Sequence, residues 1–136
     1  MKTKCEGEKT RRVYAFEETL FHNTPHTKLC RMKTLRRVAA RVWAIHGKGK
    51  KMPQIVAGRG FPQGGRLLSY CQGTRIVLAR NQREKITLIH ELIHAMGFGY
   101  HNHAFVNKYL TVLEQVVNIP REQLKFTAIV QHQVMC

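Results

Sequence analysis

The spacing of apolar positions changes along the chain and marks out the expected elements. Met32, Leu35, Val38, Ala39, Val42, Trp43 and Ile45 recur at helical spacing, with Lys33, Arg36, Arg37 and Arg41 on the opposite side. Thr24 as N-cap and Pro25 as first helical residue place the start of this helix, which is expected to reach about His46 and stop at Gly47. Short apolar runs follow at residues 54–57, 66–71 and 74–79, and each reads as a strand. The last two are separated by Gln72 and Gly73, read as a two-residue hairpin connection in which glycine supplies the positive φ. Residues 58–65 hold three further glycines besides Gly58 and a proline, and read as a mobile connection. Helical periodicity returns from Asn81 or Gln82 to Gly97, again over 104–117, and a last helix opens at Asn118-Ile119-Pro120. The expected fold is α+β: about four helices around a small, mostly antiparallel sheet of three strands. Residues 1–12 are polar and mostly charged and read as a flexible arm, and 13–136 as a single domain without internal repeats.

Composition adds one large fact. The 136 residues carry 23 Lys and Arg against 8 acidic residues, a formal net charge of +15. Such a chain is drawn to polyanions, and Lys33, Arg36, Arg37 and Arg41 form the expected contact surface for DNA or another polyanion. The Gly-Lys-Gly-Lys-Lys run at 47–51 lacks the spacing of a phosphate loop and reads as a basic turn. Cys5, Cys30, Cys71 and Cys136 include no Cys-x-x-Cys pair, so neither a zinc ribbon nor a thioredoxin-type site is encoded. The N-terminal residues include no apolar stretch of signal-peptide type and no run is long enough to span a bilayer, which leads to the expectation of a cytoplasmic protein with reduced thiols and no membrane partner.

The chemistry concentrates at His90-Glu91-Leu92-Ile93-His94. Two histidines four apart on a helix stand about 40° apart around its axis and one turn apart along it, so both imidazoles address one point. That is the arrangement by which a helix offers two nitrogens to a zinc ion, one per chain here, with Glu91 beside them as general base toward a metal-activated water. The apolar Leu88, Ile89, Leu92, Ile93 and Met96 lie on the other side of the helix, and Gly97 fits its C-cap. A third ligand must follow Gly97, and His101, His103 and Glu114 are all at workable separations. The metzincin spacing is missed by one residue, and Glu114 lacks the acidic, Asn-rich surroundings of a thermolysin-like helix.

The motif, a short glycine turn and then His101-Asn102-His103-Ala104-Phe105 resemble the SprT-like and WLM-type zinc metallopeptidases. In those families an aromatic residue, usually Phe, follows the third zinc histidine by four, the relation of Phe105 to His101. Residues 68–78 resemble the family's hairpin before the active-site helix, whose last strand would run along the cleft and pair with substrate backbone. The resemblance spans about residues 25–117 and implies a zincin-like domain that hydrolyses peptide bonds, with His90, His94 and His101 as zinc ligands and Glu91 as the catalytic base. It also implies proteins bound to DNA as one class of substrate, with a protein or peptide as partner. The missing zinc ribbon and the longer turn before His101 fit a compact member of the kind a phage or other mobile element encodes. Tyr100 is a candidate donor to a developing oxyanion, and His103 a candidate outer group. His22, His26, His46 and His132 lie outside ligand spacing and read as surface or partly buried residues. The alternative from another class is a basic nucleic-acid-binding protein whose zinc is structural or vestigial.

Overall fold

The architecture is described from a computed structural model, over residues 11–13, 15, 29–63, 65–99 and 101–117. The expected helix start at Thr24-Pro25, the last helix from Asn118, residue Tyr100 and residues 1–10 lie outside the described residues. Residues 11–13, at the end of the expected arm and the start of the expected domain, are helical, and Val13 is buried. The described residues of Pro25–Gly97 belong to one compact unit, and those of Met1–Thr24 and Phe98–Cys136 to another.

In the first unit, helix α1 covers Met32–His46. It begins later than the Pro25 start, because Leu29–Arg31 is not helical: Cys30 N–H donates to the Arg83 carbonyl (2.7 Å), and Arg31 is extended at φ −70°, ψ 148°. Leu35, Ala39, Val42, Trp43 and His46 form its buried side. Ile45 departs from the expected apolar face and is 67% exposed.

Strands β1 (Gln54–Gly58), β4 (Tyr70–Gln72) and β5 (Arg75–Ala79) form one sheet in the order β1-β5-β4, and β2 (Phe61–Gln63) pairs with β3 (Arg66–Leu68) in a second. The larger sheet is mixed rather than mostly antiparallel: β1 runs parallel to β5, from Gln54 opposite Arg75 to Gly58 opposite Ala79, and β4 is antiparallel to β5. β5 is the central strand, and its run Ile76-Val77-Leu78-Ala79 is buried throughout, as a strand covered on both faces requires.

Three sequence expectations change here. The run at 66–71 is two strands in two sheets. Ser69 breaks it: its Oγ accepts from Ala79 N–H (2.8 Å) and its own N–H donates to Gln82 Oε1 (2.5 Å), so a side chain replaces a rung of the ladder. The stretch after Gly58 is not a bare connection, since it supplies β2. The β4–β5 turn is also shifted by one residue. Gln72 pairs with Arg75, leaving Gly73 and Thr74 as the loop, with Gly73 at φ 59° as the positive-φ residue.

Beyond β5 comes a 3-10 turn at Arg80–Gln82, then helix α2 at Lys85–Ala95. The expected helix start at Asn81 or Gln82 therefore falls in a separate turn. α2 packs against α1, β4 and β5. The second unit contains helix α3, His103–Val117, with Phe105, Val106, Tyr109, Leu110, Val112 and Leu113 buried at i, i+3 and i+4 spacings. Among the described residues no helix is long and apolar enough to cross a membrane.

Candidate metal centre

α2 is built to hold its polar residues inside the protein. Ile86, Leu88, Ile89, Leu92 and Ile93 are buried, and so are His90 and Glu91. The helix is thus enclosed more completely than one apolar side and one open side would give. His90 and Glu91 are ionisable residues held inside the protein, where a charged form needs compensation.

Both ends of α2 are fixed. At its start, Glu84 Oε1 accepts from Thr87 Oγ1 (3.1 Å), and the Glu84 carbonyl accepts from Leu88 N–H (3.0 Å). At its end, the Lys50 ammonium donates to the Met96 carbonyl (2.7 Å), placing a cation at the negative pole of the helix. The basic turn thereby acquires a structural task. Trp43 Nε1 donates to the Lys50 carbonyl (2.8 Å) and anchors the turn to α1. Gly97, at φ 112°, turns the chain immediately after the helix, in a conformation that residues with a Cβ rarely adopt.

The rings of His90 and His94 stand 5.0 Å apart between centroids, as one helical turn provides. His101 is 3% exposed and lies two residues before α3. Its ring meets Phe105 edge-on, with centroids 4.9 Å apart, and Phe105 meets Tyr109 in the same manner at 5.6 Å. Asn102, between His101 and the helix, is the N-cap: its Oδ1 accepts from Phe105 N–H (3.1 Å), and its carbonyl accepts from Val106 N–H (3.0 Å). The i, i+4 aromatic pair and the cap together restrict the His101 backbone and ring.

His90, His94 and His101 form a group that can hold a metal ion, each offering one ligand nitrogen, and these nitrogens all lie within 4.8 Å of one another. Around a tetrahedral zinc with Zn–N bonds of about 2.0–2.1 Å, ligand nitrogens stand about 3.4 Å apart, inside that limit. Three imidazoles suit zinc, copper, iron or nickel by donor type. Among the described residues no further His, Cys, Asp or Glu joins this group, so Glu114, half-buried on α3, is not part of it. The His103 side chain lies outside the described ones.

Sequence reading missed Cys71. It is half-buried on β4, and burial first, then the negative charge of Glu91, push its thiol from 9.0 up to about 11. The charge of Glu91 thus reaches the thiol on β4. Nothing in the sequence links positions 71 and 91. The expected polyanion surface is exposed at Lys33, Arg36, Arg37 and Arg41, but Arg36 has a structural bond: its Nε donates to the Ile55 carbonyl (3.1 Å) on β1. The expectation that the last hairpin strand pairs with substrate is also corrected. β5 has neighbours on both sides, and among the described residues β1 and β4 are the outer strands of this sheet.

No family model, no curated protein and no solved structure matches this chain.

Proposed function

We propose that this protein is a SprT-like zinc metallopeptidase that hydrolyses peptide bonds. The observation that supports it most is the group of His90, His94 and His101 within 4.8 Å, with the buried Glu91 next to one of its ligands in the same helix. A structural zinc site is closed by four protein ligands, whereas a catalytic one has three and an open position. Among the described residues this group has three.

Zinc held by these imidazoles would supply a Lewis acid and a water acidic enough to ionise near neutral pH. Glu91 accepts the proton of the attacking water and returns it to the leaving amine, a role suited to a carboxylate removed from bulk solvent. β4 packs on α2 and is an outer strand of its sheet among the described residues, which supports it as the strand that would pair with an extended substrate segment.

Glu91→Gln tests the reading directly. It is expected to leave zinc content and circular dichroism unchanged and to abolish cleavage of a fluorescence-quenched peptide library. Wild-type cleavage that survives in Glu91→Gln would exclude Glu91 as the base.

The net charge of +15 supports proteins bound to nucleic acid as substrates. DNA added at low salt is then expected to accelerate cleavage of a DNA-binding protein. Unchanged activity without DNA binding removes this part of the proposal. The alternative is a nucleic-acid-binding protein with a structural or vestigial zinc, for which the same charge speaks. It predicts steeply salt-dependent binding that is indifferent to Glu91→Gln.

A further inference from the structure

β1 and β5 run parallel and end together, with Gly58 opposite Ala79. Beyond that pair the chain leaves in two directions, to β2 after β1 and to the 3-10 turn and α2 after β5. A crevice at the carboxyl ends of neighbouring parallel strands is a recurrent place for ligands in open sheets. Here a cavity of about 770 Å³ opens at that point, entirely within the first unit.

Its lining includes Arg59, Arg80 and Arg83 together with Leu67 and Leu68, and no acidic residue. Arg59 and Arg80 are exposed, whereas the Nε of Arg83 is buried and has no hydrogen-bond partner. An unsatisfied donor on a charged group is costly to bury, and an anion in the cavity would satisfy it. Guanidinium groups bind phosphate oxygens through paired N–H donors, which makes arginine the residue suited to such a ligand.

The volume exceeds what one phosphate group fills, and the apolar lining has a continuation. Phe61 is the cross-strand partner of Leu68 and remains 54% exposed. Paired residues share one face of a two-stranded sheet, so Phe61 lies on the same face as Leu68, a residue that lines the cavity. Exposed aromatic rings next to basic grooves stack the unpaired bases of single-stranded nucleic acid, whereas a duplex keeps its bases stacked on one another.

We infer that this cavity binds the phosphodiester backbone of single-stranded nucleic acid, with Arg59, Arg80 and Arg83 on phosphate and Phe61 under a base. The site contains no residue of the metal group, so it stands or falls independently of the peptidase reading. It is also separate from Lys33, Arg37 and Arg41.

The test is fluorescence anisotropy of the full chain with a labelled oligothymidine of about a dozen nucleotides, in about 50 mM salt. Three double variants remove the same charge: Arg59→Ala with Arg80→Ala at the cavity, Lys48→Ala with Lys51→Ala in the basic turn, and Arg37→Ala with Arg41→Ala on α1. The cavity pair is expected to weaken binding at least tenfold and each other pair less than threefold. Arg83→Ala, whose side chain has no partner at Nε to lose, is expected to fold normally and also to weaken binding. Phe61→Ala is expected to weaken oligothymidine binding about tenfold while leaving duplex binding within twofold. Equal losses from all three pairs, a larger loss from the α1 pair, or no binding by wild type would overturn the inference.

Discussion

The Lys50 ammonium holds the carbonyl of Met96 at 2.7 Å, two residues beyond the metal-group histidine His94. A flexible side chain from a basic turn thus closes the end of the helix that carries His90, Glu91 and His94. Lys50→Met is expected to destabilise the metal-free protein by about 1 kcal/mol, the worth of a partly exposed charge-assisted bond at a helix end. Urea unfolding followed by circular dichroism measures it. Lys48→Met, exposed and in the same turn, serves as comparison and should change stability by less than about 0.5 kcal/mol. Equal effects from the two would remove the capping role.

Asn102 has a similar task for His101. Its side chain caps α3 at Phe105 N–H, and Asn102→Ala is expected to cost about 1 kcal/mol. Because the cap adjoins a metal-group histidine, zinc affinity should fall as well, by about tenfold, as it does when groups supporting a ligand are removed. Competition with a chromophoric chelator reads the affinity. Loss of stability with affinity untouched would show that His101 is held by Phe105 alone.

Arg36 separates structure from surface charge on α1. Its bond to the Ile55 carbonyl predicts that Arg36→Ala loses about 1 kcal/mol, while Arg37→Ala and Arg41→Ala remain within about 0.5 kcal/mol of wild type. Thermal unfolding of the three variants in parallel makes the comparison. If all three behave alike, the bond to β1 contributes nothing.

Cys71 reports on Glu91. With its thiol raised to about 11, Cys71 in the metal-free protein carries roughly a hundredfold less thiolate at neutral pH than an ordinary cysteine, and it should alkylate correspondingly slowly. Glu91→Gln removes the carboxylate charge and should accelerate alkylation of Cys71, followed by peptide mapping with iodoacetamide. An unchanged rate would mean that the Glu91 charge does not act on the Cys71 thiol. The same shift has a sign in stability. A thiol that holds its proton more tightly when folded contributes fully below its ordinary pKa of 9.0, and this contribution is lost as pH rises toward and through about 11.

The sequence made the metal helix legible because ligand spacing and helical period coincide over five residues. β5 was legible because a central strand needs an unbroken apolar run. The division of residues 66–71 was not, since it depends on Ser69 reaching Ala79 N–H and Gln82, contacts ten and thirteen residues distant. β2 was hidden by Pro62 and the surrounding glycines, which read as turn residues although Pro62 pairs with Leu67. The choice among His101, His103 and Glu114 could not come from spacing alone, because each lies at a workable distance along the chain. The edge-on packing of His101 on Phe105 is what four-residue spacing allows once α3 has formed. The arginine cavity had no linear signature: its residues come from the ends of two strands, a turn and a hairpin.

The central claim is that His90, His94 and His101 together hold zinc. Elemental analysis of purified wild type, His101→Ala and His103→Ala, each shown to be folded, tests it most directly. The account predicts about one zinc per wild-type chain, the same in His103→Ala, and little in His101→Ala. Full zinc in His101→Ala, or none in wild type after reconstitution, would contradict it.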